Sequence, residues 1–231
     1  MKTIGFFGDS FCAERINGHS LLKGYDSYMI KLERHYNIKT VNTGVGGSGI
    51  WDLIINQFNP LLQSNSVPDI CVFFWSRPGR LFHRQVRKLS VGHVLEPKWY
   101  SYNPFKKPIY DAARGYYLHL QDWEKEQLEY LSAIEYFDRH TLLNLNKKII
   151  HLWCMDVGSY RFNSGVEIQP ALIDLSLIGC DPSIMDRDPR CNHLDGDLKN
   201  HLVFEWIRDA VDNTQSGVVK KELKFFDSRS D

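Results

Sequence analysis

The run DICVFFW at positions 69–75 constrains the fold more than any other stretch of the chain. After its first residue it is apolar without interruption, short for a helix and too apolar for a strand with one wet face. A strand covered on both faces suits it, and such strands belong to parallel sheets with helices above and below. Residues 3–7, β-branched and aromatic and ending at Gly8, have the same character, as do residues 148–154. The spacing of apolar residues predicts a further strand over 38–42, and helices over about 21–35, 50–58 (stopped before Pro60), 121–145 and 198–211. Alternating strands and helices imply a three-layer α/β/α fold of flavodoxin-like type around a central, mostly parallel sheet. Two stretches break the alternation. Residues 81–120 read as an aromatic and basic excursion, and residues 155–192, with several Asp, Pro and Gly, read as loop with a short edge strand over 172–176.

A chain of 231 residues, 43% hydrophobic, is long enough for one full core, so a single domain over 1–231 is expected. Lys plus Arg and Asp plus Glu both number 28, which leaves no net field to draw in nucleic acid or an anionic membrane. No apolar run approaches the length of a membrane span, and the opening MKTIGFFGDSFC is too short and polar for a signal peptide. A cytoplasmic location follows as the expectation. Five cysteines, at 12, 71, 154, 180 and 191, are an odd number without a CxxC pair, which reads as buried thiols in a reducing compartment. Two groupings raise zinc, Cys180 with Cys191 and His193, and His151 with Cys154, but neither has the paired spacing of a structural zinc site.

Ligands of an open parallel sheet bind beyond the carboxyl ends of its strands. Three loops fall there, at 8–11, 44–49 and 76–80, and they bring a hydroxyl, flexible backbone amides and the guanidinium groups of Arg77 and Arg80 to one crevice. A nucleophile beside donors that point at an oxyanion is what acyl transfer needs. Gly44, Gly46 and Gly49 also spell GxGxxG, a dinucleotide fingerprint. That reading requires an acidic residue at the end of the next strand, where the chain has Trp75 and Ser76, so a nicotinamide enzyme ranks below acyl transfer.

Three segments resemble the sequence blocks of the SGNH/GDSL hydrolases: GDSF at 8–11, NTGVGG at 42–47, and NHLDGDLKNHLVFEWI at 192–207. They occur in the family's order and span nearly the whole chain. The resemblance implies an ester hydrolase that uses no metal and no cofactor, with Ser10 as nucleophile and His193 as the base that takes its proton. It implies an oxyanion hole formed by the amides of Ser10 and Gly47.

The chain departs from the family pattern twice. The family's third block supplies an asparagine donor, whereas here the strand runs into WSRPGR, leaving Ser76, Arg77 or Arg80 as replacement donors. The triad acid, three residues before the histidine in the family, is Arg190 here. Asp188 is the chosen acid, with Asp186, Asp195 or a backbone carbonyl as alternatives. Asp9, Trp75 and Arg80 are the expected substrate contacts. The expected substrate is a small-molecule or glycan ester, with deacetylation of a glycan the favoured form. Phage-encoded proteins with similarly altered third blocks extend the analogy to surface polysaccharides. The rival expectation is a glycan-binding or assembly protein that keeps the fold without the chemistry.

Overall fold

The computed structural model describes residues 2–12, 15–16, 19–20, 26–95, 105–155, 160–177, 194, 196–213 and 216–223. Six strands form one parallel sheet: β1 (Thr3–Phe7), β2 (Lys39–Asn42), β3 (Ile70–Trp75), β4 (Lys148–Trp153), β5 (Val166–Gln169) and β6 (Gly217–Lys220). Their spatial order is β6-β5-β4-β3-β1-β2, the flavodoxin-like order with a sixth strand added at one edge. The chain reverses its progression across the sheet between β1 and β3, whose register pairs Ile4 with Ile70 and Phe7 with Phe73.

Alternation along the strands separates two cores. Ile4, Phe6, Val72, Phe74, Ile150 and Leu152 face α1 (Tyr28–Tyr36) and the C-terminal helix Asp197–Asp212. Phe7, Phe73, Trp75, Ile149 and Trp153 face the helical run 50–63 and the helix Trp123–His140. The helix Tyr28–Tyr36 starts where Ser27 Oγ accepts the Ile30 N–H at 3.3 Å and ends where Asn37 turns left-handed at φ 49°. The helix Trp123–His140 is capped by Asp122, with Glu124 and Glu126 in its first turn and Arg139 and His140 in its last, matching the helix dipole.

Several expectations are corrected. Residues 172–176 are a helix, Leu172–Ser176, because Leu172, Leu175 and Ser176 bury one face at helical spacing. Within 155–192, β5 is a central strand where loop was expected, and β6 escaped the sequence reading altogether. The run from Ile50 continues past Pro60. Its middle, Leu53–Phe58, is π-helical, with the Asn59 N–H donating to Ile54 O, and Pro60 falls in the first turn of the segment Asn59–Gln63. A proline is tolerated in a first turn because no intrahelical partner is lost there. Residues 21–25 of the expected first helix lie outside the described residues. The excursion contains a hairpin, Arg80–His83 with Val86–Ser90, and helices Val91–Leu95 and Lys107–His119 around a small core of its own.

His151 is buried on β4 with both ring nitrogens engaged. Trp75 Nε1–H donates to its Nδ1 at 3.1 Å, and Nε2 lies 2.9 Å from Ser164 O. Asp138 supports the same corner, accepting the Ser164 and Asn163 amides. Burial holds the imidazole pKa down to about 4, so the ring is neutral in the folded protein and protonates only in the unfolded chain as pH falls below about 6.5. Stability is therefore predicted to be full above about pH 6.5 and to fall toward about pH 4, by up to about 1.4 kcal/mol per pH unit from this group. Urea unfolding across that window, compared between wild type and His151→Gln, checks it. The variant is expected to show the shallower dependence, and equal slopes would remove His151 as the cause.

Candidate active site

The loops after β1, β2 and β3 meet at the switch point. β1 ends at Gly8, whose φ is 150°, and a Cβ there would stand 2.5 Å from Phe74 O. Only glycine lets the backbone pass β3 this closely. The Gly8 peptide is gripped from both sides by Gln57. Its N–H donates to Gln57 Oε1 at 2.7 Å, and its carbonyl accepts Gln57 Nε2 at 2.9 Å, Ser48 Oγ at 2.9 Å and the Val45 amide at 3.0 Å. Gln57, itself buried, lies in the π-helical segment and also donates to Asp52 Oδ2 at 3.0 Å.

Residues 9–12 form a turn closed by the Cys12 amide on Asp9 O at 3.2 Å. The Asp9 carboxylate accepts the Phe11 amide at 3.0 Å, the Cys154 thiol at 3.3 Å and Arg80 Nη1 at 2.9 Å. Burial, reinforced by the Asp9 charge, pushes the Cys154 thiol well above its ordinary range, so it stays protonated and can donate. Further clamps come from Tyr28 OH on Phe11 O at 3.1 Å and Asn42 Nδ2 on Cys12 O at 2.7 Å.

Ser10 alone of the run Ile4–Cys12 reaches solvent. Its hydroxyl and its amide have no hydrogen-bond partner among the described residues, and the Gly47 amide has none either. Backbone amides rarely go unpaired except where water or a ligand takes the bond. The two loops carrying them pack directly on each other, since a Cβ on Gly44 would stand 2.2 Å from Cys12 Sγ. A Cβ on Gly49 would likewise stand 2.9 Å from Arg80 Cβ. Gly44 and Gly49 of the GxGxxG pattern thus serve loop packing, and the space a pyrophosphate would need beside them is filled by Cys12 and Arg80.

Arg80 joins all three loops. Its Nη1 binds Asp9 and also Ser48 O at 2.6 Å, and both charged side chains are buried, Asp9 1% and Arg80 9% exposed. Arg80 Nε is buried without a partner among the described residues. Tyr117 fixes the adjacent backbone, its hydroxyl donating to Gly79 O at 2.8 Å and accepting the Leu81 amide at 3.3 Å.

Four expected contacts are accordingly placed elsewhere. Asp9 and Arg80 are spent on each other. Ser76 is buried, and its hydroxyl donates to Ser48 O at 3.3 Å. Trp75 is fully buried beneath the helix Trp123–His140, stacked on Phe73 and Phe162, with its indole N–H on His151. Arg77 is exposed. His151 and Cys154 belong to opposite cores, so they do not form a metal pair, and no metal-binding cluster occurs among the described residues. His193, Asp188, Asp186, Asp195, Cys180 and Cys191 lie outside the described residues. Leu194 is described: it is buried in the same core as Phe11 and Cys12, and its carbonyl accepts Asn200 Nδ2 at 2.9 Å. Asn200 Oδ1 in turn accepts the Tyr28 amide at 3.2 Å, and Tyr28 is the residue that holds Phe11.

Sequence reasoning missed Gln57, Tyr28 and the structural use of Asn42. Gln57 did carry a signal, because Ile50, Leu53, Ile54 and Phe58 place it on the buried face of its helix. An amide on such a face must find partners.

No protein-family model matches the chain, and no curated protein matches it. Among solved structures, the chain is similar to an acetyl xylan esterase, AlAXEase, at 14% identity, covering 94% of this chain and 76% of that one, with a TM-score of 0.35. It is also similar to LAE5, an alpha/beta hydrolase from the metagenome of Lake Arreo, Spain, at 14% identity over 91% and 72% of the two chains, with a TM-score of 0.34. Among the described residues no helix is long and apolar enough to cross a membrane.

Removing Arg80 strands a buried carboxylate, and breaking a buried pair this way costs about 3–5 kcal/mol. Arg80→Met is predicted to lose that much in urea unfolding, and Asp9→Asn combined with Arg80→Met to recover part of it. A loss below about 1 kcal/mol would mean that the pair does not hold the loops.

Proposed function

We propose that this chain is an SGNH/GDSL-like serine hydrolase that cleaves a carboxylic ester through an acyl-enzyme on Ser10, with an acetylated glycan as the favoured substrate. The observation that carries the reading is the partial exposure of Ser10 alone on a turn otherwise buried and clamped, beside two backbone amides without partners among the described residues. A rigid turn presenting one hydroxyl is what positioning a nucleophile requires.

In this reading Ser10 Oγ attacks the ester carbonyl while His193 takes its proton. The oxyanion is held by the amides of Ser10 and Gly47. Collapse of the tetrahedral intermediate breaks the C–O bond, and His193 returns the proton to the departing alcohol. Water, deprotonated by the same imidazole, then releases the acid and restores Ser10. Asp188 orients and charges the imidazole. The burial of Leu194 in the same core as Phe11, with the ties through Asn200 and Tyr28, supports His193 as the partner of Ser10.

Arg80 supports the site without touching substrate, because its Nη1 fixes Asp9 and Ser48 O. Of the replacement donors, the Ser76 hydroxyl and Arg80 Nη1 are both engaged by Ser48 O, and Arg77 is exposed.

Turnover of p-nitrophenyl acetate is predicted to fall at least about a thousandfold in Ser10→Ala and His193→Ala. Asp188→Asn should lose about a hundredfold or more. A fluorophosphonate should label the wild type on the peptide containing Ser10 and leave Ser10→Ala unlabelled. A folded wild type with neither label nor turnover would overturn the reading in favour of a glycan-binding protein on the same fold.

A further inference from the structure

We propose that a second cleft, over β5 and β6, binds a neutral sugar ring independently of Ser10. β5 lies three strand spacings from β1, about 14 Å across the sheet. The cleft encloses about 710 Å³, within the range of small-ligand sites. Trp153, Tyr160 and Phe162 give it an aromatic lining. Phe162 is stacked on the buried His151 ring at 3.7 Å, so the lining is held in place before any ligand arrives.

Glu167 decides the chemistry. The residue is only 4% exposed, yet it lines the cleft. Both of its donors converge on one oxygen: Trp153 Nε1–H reaches Oε1 at 3.2 Å, and Gln169 Nε2–H at 2.7 Å. Oε2 has no partner among the described residues. That oxygen is not sealed from water, since Arg80 Nε is the one buried side-chain polar atom without a partner among the described residues, so a ligand hydroxyl entering the cleft can take the place of its solvent. Aromatic faces beside it accept the C–H face of a pyranose, while hydroxyl groups of the same ring supply the hydrogen bonds.

The charges around the cleft select against ions. Arg161, Lys220 and Asp174 line it as exposed residues, and with Glu167 they make two positive and two negative groups. A cation drawn to Glu167 and Asp174 is opposed by Arg161 and Lys220, and an anion the reverse, so the balanced lining gives neither a net pull. A neutral polyol avoids both conflicts, which makes a ring of an uncharged oligosaccharide the occupant.

The indole N–H of Trp153 donates to Glu167 and so reports on the cleft by NMR, its resonance identified by its absence in Trp153→Phe. Titrate the full chain with maltohexaose, cellohexaose and xylohexaose at millimolar concentration, and with N-acetyl-lysine methylamide as a cationic control. At least one oligosaccharide is expected to shift that resonance saturably, with the same affinity in wild type and Ser10→Ala. Affinity should weaken about tenfold in Glu167→Gln and in Gln169→Ala, both checked for an unchanged spectrum elsewhere. The proposal is overturned if none of the three shifts Trp153. It is equally overturned if both variants bind as the wild type does, or if only the cationic control binds.

Discussion

The site rests on one buried ion pair. Arg80 reaches from the loop after β3 to Asp9 in the loop after β1, and with the same nitrogen to the Ser48 carbonyl in the loop after β2. Burying two charges is costly unless they are paired and further hydrogen-bonded, and this pair is both. Asp9 adds the Phe11 amide and the Cys154 thiol, so its carboxylate shapes the turn on which Ser10 sits. Ser10 is left partly exposed while its neighbours on both sides are committed elsewhere. The glycines serve the same end, since Gly8 lets β1 pass Phe74 and Gly44 lets the next loop close on Cys12.

The sheet sets where this can happen. Reversal of strand order between β1 and β3 opens a crevice at their carboxyl ends, and the two cores on opposite faces fix the register that brings residues 8, 45 and 76 together. The π-helical turn at Leu53–Phe58 belongs to the same construction, because Gln57 within it holds the Gly8 peptide by both of its polar groups. Irregular helical turns recur at functional sites for this reason.

Much of this was legible in the sequence. Continuous apolar runs gave away β1, β3 and β4, and the GDSF turn followed from a glycine at the end of the first. β5 and the edge strand β6 beside it were not legible, since VEIQ and GVVK are four residues each and too short for periodicity to show. Residues 172–176 carry apolar spacing that fits a strand or a helix, and packing decided for the helix. The partners of Asp9, Arg80, Ser76 and Trp75 were misjudged for a common reason. Each is a polar group near the crevice, and only the fold reveals that another protein group, 28 to 76 residues away in the chain, has already claimed it. Trp75 illustrates the point, because the face of β3 it occupies is the face covered by the helix Trp123–His140.

Fixed loops, a partly exposed serine and two open amides make one claim about chemistry. It is tested most directly by a crystal structure of the protein after reaction with a fluorophosphonate. The account predicts phosphorus bonded to Ser10 Oγ, with one phosphoryl oxygen about 2.7–3.1 Å from the amide nitrogens of both Ser10 and Gly47. A probe bonded to another residue, or a phosphoryl oxygen turned away from both amides, would contradict it.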